Sequence, residues 1–346
     1  MSFPKLLVLI GLVLFGTIGV AVIFKTKKPK EVVLESGSLP LIEVELKGEV
    51  IAATIKNTIK REDLKAKAPD VEKSLDIAEF EFKPKNDEAL KPLPEANRIA
   101  EFFNKNDLKF PIVETVTYKP RVAWQKGRPA WLSDYASHYA TSRHFIARSL
   151  NQKPDYFKQD IAEGDQFNVL RPDVNLNFYL LIDISRSKMW FYYHDLDKNE
   201  RTLVKTYKVG LGRPDPLKIS GLLTPIGKYS LGNKIAIYKP KAMGFHAGEQ
   251  IEMIKVFGSR WIPFEKELST CSAPAKGFGI HGVPWVIDKK GNFIEDIMSL
   301  GKYESDGCIR LATSDIEELF AIIITKPTYV ELVKDFYDAK LPGIEK

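Results

Sequence analysis

The sequence predicts a mainly β fold with short helices over residues 176–335, preceded by a small βααβ unit at 119–172 and an N-terminal transmembrane helix within residues 1–30. Three observations carry this. Between Phe178 and Leu231, β-branched and aromatic residues form short runs (Phe178–Ile184, Lys188–Tyr193, Thr202–Val209, Lys228–Leu231) divided by turn residues, the pattern of a β meander. Trp131, Leu132, Tyr135, Ala136 and Tyr139 recur at helical spacing, and Ile146, Ala147 and Leu150 continue it in a second helix. Leu6 to Phe24 is an unbroken run of apolar or small residues.

That run follows Lys5 and precedes Lys25, Lys27, Lys28 and Lys30. At about 1.5 Å per residue it is just long enough to cross a ~30 Å hydrocarbon core. A cleaved signal peptide has a shorter apolar region and a small-x-small site. Gly19-Val20-Ala21 is the only candidate here, and the apolar run continues through it, so an uncleaved signal anchor is expected. Residues 31–118 read as a flexible linker, with Lys and Glu mixed among Pro40, Pro69, Pro84, Pro92 and Pro94 and no sustained period. Its part from 31 to about 95, roughly 65 flexible residues, has an r.m.s. span of about 40–50 Å, enough to hold a domain away from a membrane.

Within 119–172, Val122–Gly127 is the expected first strand and Ile161–Val169 the turn and closing strand. The unit resembles the LysM carbohydrate-binding module at Lys126-Gly127, Tyr135-Ala136, Tyr139, Thr141-Ser142, Leu150-Asn151 and Gly164-Asp165. Arg128-Pro129 stands where that family has Asp-Thr. The resemblance implies contact with glycan strands, and a small packing unit without a ligand is the alternative. His138 and His144 fit no metal-ligand spacing.

In the C-terminal half, Ser314–Glu317 is a candidate capping box. It opens a helix with Ile316, Leu319, Phe320 and Ile323 on one face; Tyr329–Leu332 closes as a strand and 336–346 is a tail. The chemistry concentrates in Gly279-Ile280-His281-Gly282 and Ser305-Asp306-Gly307-Cys308-Ile309-Arg310-Leu311. A thiol attacks a carbonyl as thiolate, and a nearby imidazole is the common means of activating it. Gly307 permits a tight turn ahead of the sulfur, and that turn aims the Gly307 and Cys308 amides at a developing oxyanion.

These residues resemble the signature of the L,D-transpeptidase (YkuD-like) catalytic domain. Upstream stretches agree in order: Leu181–Ser185 with Met189–Tyr192, then Val209-Gly210-Leu211-Gly212, Thr224-Pro225-Ile226-Gly227-Lys228-Tyr229, and Val256–Trp261. The resemblance implies a sandwich-like β fold and a peptidoglycan substrate. By it, Cys308 is the nucleophile and His281 its general base, with Gly282 orienting the histidine through its carbonyl. Gly307 contributes to the oxyanion hole. Arg310 takes a substrate carboxylate or braces the loop; Ser305, Asp306, Trp285 and His246 are further candidates for lining the substrate site. Two departures stand out. Asp306 occupies a position that is often His in the family, and Val283–Glu304 is a longer span than usual, expected to fold as a hairpin lid with its turn at Asp288–Asn292.

The implied activity is an acyl transfer that forms 3→3 cross-links between stem peptides, with release of D-alanine. The alternatives are an L,D-carboxypeptidase, in which water takes the acyl group, and an inactive membrane-anchored wall-binding protein. A papain-like protease is poorly supported, since the His precedes the Cys. The implied place is the inner membrane, single-pass, with the catalytic domain in the periplasm. The four lysines after the apolar run oppose that orientation. No cofactor or metal is expected. The net charge of +6 favours anionic partners, but no zinc-finger, P-loop or RNA-binding signature accompanies it. Two cysteines are too few for a disulfide framework, and Cys271 lacks flanking glycines and a paired base. Oligomeric state is not legible.

Overall fold

The computed structural model describes residues 92–106, 108–232 and 235–346. The expected membrane helix at 1–30 and the first part of the expected linker, 31–91, lie outside these residues. Among the described residues, no helix is long and apolar enough to cross a membrane.

The described chain begins with a helical turn, α1 (Ala100–Phe103), and a strand, β1 (Val113–Thr117). Helices α2 (Leu132–His138) and α3 (Arg143–Asn151) follow, then β2 (Gln166–Leu170), which runs antiparallel to β1. A βααβ unit is present, but its first strand lies at 113–117, inside the segment read as linker; Val122 and Gln125 form only an isolated bridge. The apolar cluster Phe110, Ile112 and Val113 drives this, because all three are buried against the main core while the flanking Lys and Glu hide the pattern in the sequence. The 92–98 segment, which carries Pro92 and Pro94, is likewise no free linker. The Trp190 indole donates to Pro94 O at 2.7 Å, Arg98 N to Val204 O at 2.8 Å and Thr206 N to Ala96 O at 2.9 Å. Prolines suit such an edge strap, which needs few ladder donors.

The remainder comprises β3 (Leu176–Asp183), β4 (Lys188–Asp195), β5 (Glu200–Lys208), β6 (Leu211–Gly212), β7 (Gly227–Leu231), β8 (Ala236–Ile237), β9 (Met243–His246) and β10 (Glu249–Glu252). It continues with α4 (Ile254–Phe257), β11 (Arg260–Glu267), β12 (Gly279–Gly282), β13 (Trp285–Ile287), β14 (Phe293–Glu295), β15 (Tyr303–Ser305) and β16 (Ile309–Leu311). The last elements are α5 (Thr313–Ile323), β17 (Thr328–Val333) and β18 (Ile344–Glu345). Ten strands join one sheet in the order β16-β12-β11-β7-β17-β3-β4-β5-β18, with β8 also paired to β11.

Alternation along β3 and β4 sets the layers. Phe178, Leu180, Ile182, Met189, Phe191 and Tyr193 enter one core with Ile316, Leu319 and Phe320 of α5. Tyr179, Leu181, Trp190 and Tyr192 enter a second, covered by Leu93, Ala96, Phe336 and Leu341. A strand buried on both faces reads as a continuous apolar run, which is how these two appear in the sequence. Each such large side chain contributes about 1.5–3 kcal/mol on burial. The fold is mainly β with few helices, as the sandwich-like expectation requires.

Residues 336–346 are not a tail. Phe336 packs on Trp190 at 4.7 Å, and β18 adds to the sheet beside β5. His194, at the end of β4, is thereby buried, with Nε2 3.2 Å from Asn199 Oδ1. Helix α5 begins at Thr313 after an Ala312 N-cap that supplies no side-chain bond. Glu295, from the β14 end of the neighbouring hairpin, accepts from Thr313 N at 3.3 Å and stands in for the expected capping box.

Candidate active site

β12 carries His281 and β16 follows Cys308, and the two strands pair in parallel with Ile280 opposite Ile309 and His281 opposite Arg310. Register partners face the same side of a sheet, and side chains two apart on a strand share a face. Ile280, Ile309 and Leu311 all enter the core. His281 and Arg310 therefore share the opposite face, and Cys308 immediately precedes β16, two residues before Arg310. The excursion between them returns to the same sheet, with Ile280 paired to Ile309 beside the two residues.

The imidazole is buried, with its ring 5.4 Å from Phe257 and 5.9 Å from Trp261. Its Nδ1 lies 2.7 Å from Gly282 O. A carbonyl can only accept, so Nδ1 carries the proton and Nε2 is left as the basic nitrogen. Burial lowers the His281 pKa to about 4 against the support of the Gly282 hydrogen bond; Arg310 and His246 push it the same way as burial. Burial also pushes the Cys308 thiol up to about 11, Asp306 adding to this while the Gly279 backbone and Arg310 oppose it. The resting pair is thus neutral thiol and neutral imidazole. The thiol donates to Gly277 O at 3.7 Å.

The turn before the sulfur is braced from beneath. Ser305 Oγ donates to Cys308 O at 2.7 Å and accepts from Gly307 N at 3.1 Å. Buried Thr224 accepts from Gly212 N at 2.7 Å and donates to Gly307 O at 3.0 Å. Gly307 has φ +117°, and a Cβ there would come within 2.6 Å of Phe278 Cε1 and 2.8 Å of Leu223 O. Only glycine fits. Two sequence expectations change here. Ser305 faces the turn and is buried, not placed for substrate, and the Gly307 N–H is already engaged by it. Thr224 was visible in the Thr-Pro-x-Gly stretch, but its contact with the Cys308 turn was not.

Arg310 is half-buried, and among the described residues its guanidinium has no hydrogen-bond or ion-pair partner, with Nε itself buried. Asp306 points away from the imidazole. Its side chain is 84% exposed and pairs with Arg213 at 2.5 Å, so it does not hold His281, whose orienting acceptor is the Gly282 carbonyl. Among the described residues no group of three or more His, Cys, Asp or Glu stands close enough to hold a metal ion.

Residues 177–332 match the YkuD family model, described as the L,D-transpeptidase catalytic domain. Solved structures similar to this chain include the helical cell shape determining protein Pgp2 from Campylobacter jejuni, at 18% identity and TM-score 0.31, covering 49% of this chain and 50% of that one. Bd1075 of Bdellovibrio bacteriovorus is similar at 15% identity and TM-score 0.30, covering 45% of this chain and 48% of that one. The chain thus spans about half the length of these structures. A comparison with curated proteins finds no match. The upstream unit lies outside the YkuD match, and nothing in these comparisons marks it as LysM.

Two hairpins border the site. In β13–β14, Trp285 opposes Glu295 and Ile287 opposes Phe293; the Trp285 indole donates to Thr313 Oγ1 at 3.2 Å. Trp285 is therefore tied to α5 instead of lying free, and the hairpin is anchored at its base. Its turn is held by Asp288, which accepts from Lys290 N and Asn292 N at 2.8 Å. In β9–β10, exposed His246 meets Phe257 edge-on at 5.2 Å, and Phe257 in turn packs against the His281 ring. Phe257 and Trp261 are site residues the sequence did not single out; they lie in the Val256–Trp261 stretch. Cys271 is a free thiol donating to Lys228 O at 3.3 Å, and Cys308 is also free.

Proposed function

We propose that the protein is an L,D-transpeptidase acting through a Cys308 thioester. His281 Nε2 removes the thiol proton as sulfur attacks the carbonyl between the diamino acid and the terminal D-alanine of a tetrapeptide stem. The tetrahedral oxyanion forms against the Cys308 N–H. The C–N bond then breaks, the imidazolium returns its proton to the leaving nitrogen, and D-alanine departs. The side-chain amine of a neighbouring stem attacks the thioester, transfers a proton to His281 and leaves a 3→3 cross-link, with the thiol restored.

One observation carries this reading: an imidazole, its tautomer set by the Gly282 carbonyl, on the strand paired with the one that Cys308 leads into. The neutral pair favours proton transfer concerted with attack, since a free thiolate is disfavoured by burial. Arg310 is the group for the departing D-alanine carboxylate. Upstream, exposed Trp131 with Arg128 4.4 Å over its ring, and Phe157, 65% exposed beside a cavity of about 180 Å³, are the surfaces offered to glycan strands. The proposed setting is the periplasmic side of the inner membrane, testable by protease access in spheroplasts.

The deciding experiment incubates the full chain with tetrapeptide muropeptides and weighs the products. Cross-linked dimer supports the proposal. Tripeptide with free D-alanine and no dimer makes the protein an L,D-carboxypeptidase. No product, with the same outcome for Cys308→Ala, leaves a binding protein.

A further inference from the structure

The strand that backs the catalytic histidine is held by the upstream unit. Arg260 opens β11, one residue before Trp261, and its side chain is almost wholly buried. Its Nη2 lies 2.5 Å from Asp155 Oδ1, in the loop between α3 and β2. Its Nη1 donates to its own neighbour, Ser259 O, at 2.8 Å and lies 3.6 Å from Glu317 of α5. The guanidinium also rests on the Phe320 ring at 5.2 Å. Asp155 is equally enclosed. His144 Nδ1 approaches it at 3.1 Å, and burial, which would raise its pKa, is outweighed by His144 and Arg260, which hold it at about 2.

The Gly258-Ser259 backbone that Arg260 grips is pressed onto the residue that orients His281. A Cβ on Gly258, whose φ is +59°, would fall 2.6 Å from Gly282 C, and one on Gly282 would fall 3.2 Å from Ser259 N. Gly282 O is the acceptor 2.7 Å from His281 Nδ1. The contacts therefore run without a gap from Asp155 through Arg260 and the Gly258-Ser259 backbone to the orienting carbonyl. A buried ion pair is costly to desolvate, and an apolar pair of similar volume often serves stability as well or better. Stability alone gives no reason for an arginine here that also grips Ser259 O.

We infer that Asp155 is a positioning residue of the active site: through Arg260 it fixes the Gly258–Ser259 backbone against Gly282, and so the ring orientation and tautomer of His281. The upstream unit completes the catalytic apparatus as well as flanking it. This inference rests on the proposed role of His281 as base. Charged or titratable groups facing the imidazole are Arg310 from β16 and His246 from β9; neither is on the Asp155 path, so both are held constant in the test.

The test uses the full chain with the ion pair replaced by an apolar one, Asp155→Leu with Arg260→Met, and reads two quantities. Thermal melting reports docking and fold. The ¹⁵N shifts of the His281 ring report the tautomer, and need no turnover. The expected result is a Tm near that of the unaltered protein, loss of the single Nδ1–H tautomer, and kcat lowered about tenfold with KM within about twofold. Ser142→Ala, which removes the 2.5 Å bond from the upstream unit to Ala321 O, should lower Tm and leave the His281 signals unchanged. If the double variant keeps the His281 shifts and kcat, the positioning role is overturned. Should that variant fail to fold, Asp155→Asn is judged by the same two readings. Absence of turnover in the unaltered protein would instead defeat the proposed reaction, while the ring shifts still decide the role of Asp155.

Discussion

His281 donates through Nδ1 to the carbonyl of Gly282, the next residue in its own strand, at 2.7 Å. The orienting group is thus backbone, in the β12–β16 ladder that begins one residue after Cys308. Among the described residues no side chain bonds the imidazole, and Asp306 turns outward to Arg213.

The neutral pair predicts an unusual pH response. His281 titrates near 4 in the folded protein and near its ordinary 6.5 when unfolded. Between these values the unfolded chain binds more protons, so this contribution is fully present above 6.5 and lost as pH falls toward 4. The shift corresponds to about 3 kcal/mol. Urea titrations at pH 7 and pH 4 should show a smaller difference for His281→Gln than for the unaltered protein. An equal difference in the two proteins would refute the buried neutral histidine.

Thiol chemistry gives a second check. With its pKa raised to about 11, Cys308 should react with iodoacetamide at pH 7 more slowly than a free cysteine, and the rate should climb up to about pH 11. Mass spectrometry of alkylated peptides separates it from Cys271. Rapid alkylation at neutral pH would point to a preformed thiolate.

Thr224→Ala removes one hydroxyl that both accepts from Gly212 N and donates to Gly307 O. Leaving buried partners unsatisfied costs about 1–3 kcal/mol. Activity should fall further than this stability loss explains, since the turn ahead of Cys308 loosens, and Thr224→Ser should restore both. Thermal melts paired with muropeptide turnover measure the two effects.

Arg310→Met should raise KM about tenfold or more for a substrate bearing a free D-alanine carboxylate and much less for its amide, if the unpaired guanidinium takes that group. A loop brace would show equal losses on both substrates. The comparison needs only steady-state kinetics on the two peptides.

Removing the 288–292 turn should alter substrate preference while changing stability by less than about 1 kcal/mol, because its bonds are local and exposed. Glu295→Ala should be the more destabilising change, since Glu295 accepts from the first residue of α5. Denaturant midpoints of the two variants decide the order.

The sequence by itself determined the strands buried on both faces, the helix face of Ile316, Leu319, Phe320 and Ile323, and the glycine-flanked motifs that carry His281 and Cys308. These are carried by local period and by short glycine-flanked motifs, which survive without knowledge of neighbours. The first strand at 113–117, the strap at 92–98 and the docked 336–346 segment were hidden, because their burial depends on partners far away in the chain. The same holds within the site. That Ser305 and Thr224 brace the turn, that Asp306 faces Arg213, and that Arg260 meets Asp155 are matters of which side chains meet in space. Hydrogen bonds and ion pairs across long sequence separations leave no periodic trace, so only the tertiary structure decided them.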